Sequence, residues 1–235
     1  MNGVRNLPIA HLKRGCFLPK KRTQERGRLR RTQMVTAARK LLFVRELDEI
    51  ALTDIADAAD IPKSSAYHLF PTAFDVHAAA AQEIAGELER HMRGLHLPIC
   101  DGWADFVGAF IRHGARFFND HRDAMQLLLG PKSPPAIKTV DREKSDLAIS
   151  RQLVDALSKH YVLPDWISRD ETFFRAIEIA DLFFSLSVLR CQRITEEYVA
   201  EAVRATNAYL ALYIPAILPP AEEFPLIAAL GDQSR

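Results

Sequence analysis

The chain has 235 residues, 48% of them hydrophobic and 26% charged, enough length for a small unit and a larger body with a buried core. No run of about 18 apolar residues occurs, which excludes a membrane-spanning helix, and Cys16, Cys100 and Cys191 are spaced too widely for a disulfide framework or a zinc motif. The net charge of +1 conceals an asymmetry: residues 1–31 carry ten Lys and Arg against Glu25 alone, which leaves the remainder at −8.

That basic segment lacks the roughly 7–15-residue apolar stretch of a secretory signal, so a cytoplasmic location is expected. Residues 1–27 are expected to form a flexible arm, with residues 1–19 (Gly3, Pro8, Gly15, Pro19) disordered without DNA. The cations of residues 20–31, Arg28, Arg30 and Arg31 among them, are suited to phosphates. A merely solvated tail is the alternative.

Next in order, residues 29–44 place Leu29, Val35, Ala38, Leu41 and Leu42 on one helical stripe. Residues 55–70, IADAADIPKSSAYHLF, then give two short helices joined by a tight turn. Ile55, Ala56 and Ala59 make one small apolar face, Ile61 fills the corner, and Ala66, Leu69 and Phe70 make the second. Lys63, Ser64, Ser65, Tyr67 and His68 point outward, where they can donate to phosphates and base edges, and Thr53 sits beside them at the start of the first short helix. Pro62 suits a first helical turn, where its missing N–H costs nothing. Alone the stretch would also fit a polar surface hairpin; the long helices on either side favour a DNA reader. The downstream one is read over residues 72–95, with Val76, Ala80, Ile84 and Leu88 recurring every four.

This layout resembles the tetracycline-repressor (TetR) family of bacterial transcription regulators, over about residues 28–76: AARKLLF, then LTDIADAADIPKSSAYHLF, then FPTAFDV. The resemblance implies a homodimer that binds a palindromic operator in double-stranded DNA and releases it when a small molecule enters the C-terminal domain. It also exposes departures. Glu46 and Asp60 stand where the family usually has Gly, and Asp tolerates the left-handed backbone better than most residues. Ala51, Leu69 and Ala73 replace a hydroxyl, a His or Tyr, and a Lys that commonly touch phosphate, so other cations are expected to compensate.

Beyond residue 77 the pattern is helical throughout: residues 103–119, 122–129, 141–161, 170–190 and 195–213, with PKSPPA (131–136) a loop and the Pro-rich residues 214–235 irregular. The expected fold is all-α: an N-terminal helix-turn-helix domain (28–76) and a helical ligand-binding and dimerisation domain (77–213). The helix over 170–190 is apolar nearly all round and must be buried all round, which calls for a partner subunit. The next helix begins at Thr195, a capping residue followed by Glu196 and Glu197. Its Val199, Ala202, Thr206, Tyr209 and Tyr213 form a thin stripe beside it.

Aromatic residues crowd the body: Trp103, Phe106, Phe110 and Phe117 on one helix, Phe173, Phe174 and Phe184 with Ile177 on another. Core packing is the ordinary meaning of such a stripe. Isolated polar residues among them, His113, Arg116 and Asp181, raise the reading of a hydrophobic effector site beside it; an unpartnered buried carboxylate such as Asp181 is costly and calls for an Arg, a hydroxyl, water or a ligand, with an intra- or intersubunit partner the first expectation. No phosphate loop, nucleophile elbow or metal box occurs, and His91 and His96 are five apart, too far round a helix for a metal pair. Neither catalysis nor a cofactor is expected. A regulator of the same build controlled by a protein partner, or by nothing, is the second reading; a helical enzyme or carrier is a remote third.

Overall fold

The computed structural model describes residues 20–95, 100–140, 142–166 and 168–221; residues 1–19 of the expected arm, Cys16, His96 and the tail beyond residue 221 lie outside them. The first helix, α1 (Lys20–Leu42), begins well before the stripe that predicts it. Residues 20–27 are therefore helix rather than flexible arm, and the physical reason lies in their composition. After Pro19 the run is rich in Lys, Arg, Gln and Glu, straight side chains that lose little freedom in a helix. The buried face of α1 is Met34, Val35, Ala37, Ala38 and Leu42, whereas Leu29 is 60% exposed and lies off it.

Two short helices follow, α2 (Leu52–Ala58) and α3 (Lys63–Leu69). Ile55, Ala56, Ile61, Ala66 and Phe70 are buried between them and α1, as the sequence pattern requires. Asp60 turns the corner at φ 54°, the left-handed backbone expected of it. The long helix α4 (Ala73–Arg93) starts at a reciprocal cap: the Thr72 hydroxyl accepts from the Asp75 N–H, and Asp75 accepts from the Thr72 N–H at 2.8 Å. One helix, α4, thus packs on α1 in the reader and on α5 and α8 in the body.

The body continues through α5 (Trp103–Asp120) and α6 (Arg122–Ala124), which runs into a π-turn at Met125–Leu129. Then come α7 (Pro135–Val140), α8 (Arg142–Ser158), α9 (Arg169–Cys191) and α10 (Glu196–Leu210). Among the described residues there is no strand, only an isolated bridge between Tyr161 and Pro220. The PKSPPA loop is shorter than expected, because Pro135 becomes the first residue of α7, a position where its missing N–H is harmless. Thr195 precedes α10 without a side-chain cap bond; its N–H donates instead to the Ser187 hydroxyl at 3.0 Å. Tyr213 lies beyond the end of α10, in a turn, and is 39% exposed.

The described part of the tail is packed rather than loose. The Trp103 indole N–H donates to the Pro215 carbonyl (2.8 Å), and Val162 N–H donates to Pro219 (2.8 Å). Ile214 and Leu218 are buried there. On α9, Phe173, Ala176, Ile177, Ala180, Phe184 and Val188 face inward, while Leu182 and Leu189 are more than half exposed. The single chain therefore leaves an apolar strip of α9 uncovered. No described helix is long and apolar enough to cross a membrane.

Candidate nucleic-acid interface and ligand site

On α3 only Ala66 is fully enclosed, and the helix turns its chemistry outward. Ser64, Tyr67 and His68 are exposed, Tyr67 by 54%, and Ser65 is half-buried. Lys63 reaches Asp57 of α2 at 3.8 Å, an exposed ion pair that water and salt weaken. Thr53, half-buried, sits in the first turn of α2. Arg28 and Arg30 are exposed on α1. Arg31 is committed differently: its guanidinium lies 4.1 Å above the Phe70 ring and donates to the Leu69 carbonyl, tying α1 to the end of α3. Ala51 offers no hydroxyl to cap α2, but Asp54 accepts from its N–H at 2.9 Å. That bond, first, and Arg45 hold the Asp54 carboxyl below its ordinary range.

Reader and body meet across a polar seam. Arg39 of α1 clamps Glu87 with two parallel bonds of 2.7 Å and reaches Asp123 at 2.7 Å. The Asp123 side chain is wholly buried. Arg39 is also the first cause that holds the Glu87 carboxyl below its usual range. Gln126, in the π-turn, donates to the Leu42 and Arg45 carbonyls and accepts from the Leu47 N–H. Arg122 pairs with Glu46 at 2.7 Å, and Lys132 with Asp48 at 2.9 Å. A cleft of about 530 Å³ opens beside these pairs. Glu46, at a usual glycine position, thus serves as an ion-pair partner.

Inside the body, Phe110, Ile177, Asp181 and Phe184 do come together, around a cavity of about 40 Å³ between α4, α5, α8 and α9. Met92, Gly114, Phe118 and Asp146 are also among its lining residues; nothing in the periodicity of any one helix marks them. A wider groove of about 330 Å³ shares Met92 and Phe110 with it and takes in Phe106, Gln152, Ala156 and Lys159.

The other expected ligand residues are placed elsewhere. Trp103 anchors the tail. Phe117 stacks on His121 at 4.4 Å, and Phe173 lies against Trp166 at 6.2 Å. Phe174 is half-buried and lines neither space. His113 and Arg116 are a correction too. The His113 and His91 rings stack at 3.9 Å, and each Nε2–H donates to the other's carbonyl, joining α5 to the end of α4. Burial first lowers the His113 pKa, in keeping with a neutral ring; its Nδ1 is then free to accept from the exposed Arg116 at 3.2 Å. Among the described residues no group of three or more His, Cys, Asp or Glu side chains could hold a metal.

Residues 101–214 match the family described as tetracyclin repressor-like, C-terminal domain. Over that span the chain is similar to the C-terminal domain of the TetR family. The resemblance carried by residues 28–76 and the family match in the body come from separate parts of the chain. Solved structures agree on the fold. A TetR-family transcriptional regulator from Streptomyces coelicolor superposes with a TM-score of 0.58 at 19% identity, covering 79% of this chain and 99% of its own. The multidrug binding protein EbrR, complexed with imidazole, gives 0.56 at 21% identity, with 83% and 96% covered. The fatty acid degradation regulator FadR from Bacillus halodurans gives 0.55 at 16%, with 76% and 94% covered. None of the curated proteins compared matches the sequence. Within the TetR fold, the departures at Leu69 and Ala73 leave two half-buried apolar side chains where phosphate donors are usual.

Proposed function

We propose that this chain is a sequence-specific DNA-binding transcription regulator, a cytoplasmic homodimer whose body takes up a mainly apolar small molecule and thereby releases its operator. The exposure of Lys63, Ser64, Tyr67 and His68 on a helix held from behind by Ala66 and Phe70 carries the DNA reading. A recognition helix inserted in the major groove needs that division of labour: base-edge donors outside, a small rigid core within. The uncovered Leu182 and Leu189 on α9 favour a second copy there, and a dimer presents two such helices to a palindromic duplex. A structural neighbour named a multidrug binding protein supports a small-molecule effector.

Selection of duplexes from a random pool is the test. A palindromic consensus bound by a species of twice the chain mass is expected, and enrichment without symmetry would overturn the dimeric reader. The cations before Arg28 adjoin the reader in sequence, so deleting residues 1–27 should weaken binding to all sequences alike. Each phosphate no longer neutralised should lower the slope of log K against log salt by about 0.9. An unchanged slope would leave the segment without a DNA role.

One observation favours the second reading, control by a partner protein or by none: the inner cavity of about 40 Å³ holds little more than a water or two. A screen of apolar compounds followed by DNA titration separates the two readings. Hits that lower DNA affinity support the effector, whereas binding without any change in DNA affinity supports partner control.

A further inference from the structure

The loop that joins α1 to α2 is fastened to the body by a neutral, half-buried side chain. Gln126, in the π-turn at Met125–Leu129, donates through Nε2 to the Leu42 carbonyl (2.7 Å) and the Arg45 carbonyl (2.9 Å). Its Oε1 accepts from the Leu47 N–H at 2.8 Å. Leu42 ends α1, and the last carbonyls of a helix have no partner within it. The amide therefore caps the reader's first helix from the body, with its two N–H donors and its carbonyl all engaged. The ion pairs beside it, Arg122 with Glu46 and Lys132 with Asp48, are part-exposed, and such pairs hold little. The turn that presents Gln126 is specified by the sequence. A Cβ on Gly130 would overlap the Gln126 carbonyl, so any side chain there would force the turn to shift. Wide turns of this kind are frequent at functional sites.

We propose that Gln126 sets the angle of the reader to the body, and through it the spacing between half-sites that the dimer accepts. The inference rests on the reading of the chain as a DNA-binding dimer, and it adds a positioning residue that selects the operator without touching it. Because α4 is common to reader and body, any swing of the reader is about α4, and fastenings off that helix stop it. Arg39 is one, through Asp123. Gln126 is another, and it grips the segment that leads into α2 and α3. One base pair more or less between half-sites moves a reader by about 3.4 Å along the duplex and turns it by about 35°. A reader free to swing that far follows either spacing. A reader whose loop is held by three bonds to backbone groups within six residues does not. Affinity for one half-site is then set by α3, and preference for a spacing by Gln126.

The test titrates the full chain against the selected palindrome, against versions with one base pair added or removed between half-sites, and against a single half-site. The wild-type chain should bind the selected spacing at least tenfold more tightly than either altered one. Gln126→Leu and Gln126→Glu should cut that preference below threefold and leave half-site affinity unchanged. Gln126→Glu keeps the shape but loses both N–H donors, so it separates lost bonds from lost packing. A residue that only stabilises the fold would lower the melting temperature and leave the spacing preference in place, and that outcome overturns the proposal. So does a wild-type chain indifferent to spacing, or a fall in half-site affinity, which would put the effect of Gln126 inside the reader. A second measurement needs no DNA. Spin labels on the exposed Ala58 of α2 and Asp155 of α8, with the native cysteines replaced by Ser, report the distance from reader to body by pulsed electron resonance. Dilution with unlabelled chain restricts the signal to distances within one chain. Wild type should give one narrow distance, and both Gln126 variants a distinctly wider one. A narrow distance in both variants overturns the proposal. Widening in the variants of a chain that selects no duplex keeps Gln126 as the fastening and removes the DNA reading instead.

Discussion

The seven residues of α3 and the eighteen of α5 use side chains in opposite ways. On α3 one residue is fully enclosed and the polar ones face solvent; on α5 ten residues are buried, and the helix has neighbours on most sides. A short helix with one wet side sorts its residues cleanly, so its pattern states what is available to a partner. A helix enclosed by others sorts only buried from exposed, and the pattern is silent about which buried residues face a cavity. If the contrast holds, substitutions in the two regions should fail differently: outward positions through DNA affinity, inward ones through stability or ligand binding.

The largest effect is expected where the two regions meet. Arg39→Ala would strand the wholly buried Asp123 carboxylate and free Glu87. Breaking one side of such a pair typically costs about 3–5 kcal/mol, a fall of roughly 10 °C in melting temperature for a chain of this size. Calorimetry would measure it, and combining Arg39→Met with Asp123→Leu should recover most of the loss. A variant as stable as the parent would show that the seam contributes nothing to holding reader and body together.

On the outward side, Lys63→Ala combined with His68→Ala should cost about 1–3 kcal/mol of DNA affinity for each base edge no longer bonded, and relax sequence preference. The melting temperature should stay where it was, because both side chains are exposed. Titration against the selected duplex, alongside a scrambled one, reads both quantities. Unchanged affinity and preference would move the interface off α3.

The inward side should also show itself in pH. His77 is buried on α4, its Nε2 lacks a partner, and burial pushes its pKa from 6.5 down to about 4. The unfolded chain therefore takes up a proton near pH 6.5 that the folded chain refuses until about pH 4. Between those values the unfolded state binds more protons, so stability falls as pH falls, by something on the order of 3 kcal/mol across the window. Glu87, held low by Arg39, adds its own loss only below its ordinary value of 4.5. His77→Leu should flatten the melting temperature between pH 6.5 and 4.5 and leave the lower limb in place. A slope identical to the parent's would assign the acid sensitivity to other groups.

How much of this is legible in the sequence follows from the same contrast. Ile55, Ala56, Ile61, Ala66 and Phe70 are legible as core, and so is the corner at Asp60, because in a three-helix unit each position has one possible neighbour. Arg31 has the sequence position of a phosphate ligand, but it lies on Phe70; a cation beside an aromatic of another helix leaves no trace in either helix's own spacing. His113 and Arg116 look like polar groups inside an aromatic stripe. His113 turns out to stack on His91, and Arg116, exposed, donates to His113, its neighbour three residues back on the same face.

The smallest effect tests whether the body keeps spare room. Gly114 lies on the wall of the inner cavity, and a methyl group added to it would meet Met92 Sδ at 3.6 Å, an ordinary contact. Gly108, on the same helix, is different: a Cβ there would come within 3.1 Å of Val203 Cγ1. Replacing glycine by alanine inside a helix gains roughly 0.5–1 kcal/mol where space allows. Gly114→Ala should therefore raise the melting temperature by about 1–4 °C, and Gly108→Ala should raise it less or lower it. DNA affinity should be unaffected by either, as for any inward position. If Gly114→Ala is destabilising, the cavity is already filled in solution, and the distinction between an open reader and a body holding space in reserve is lost.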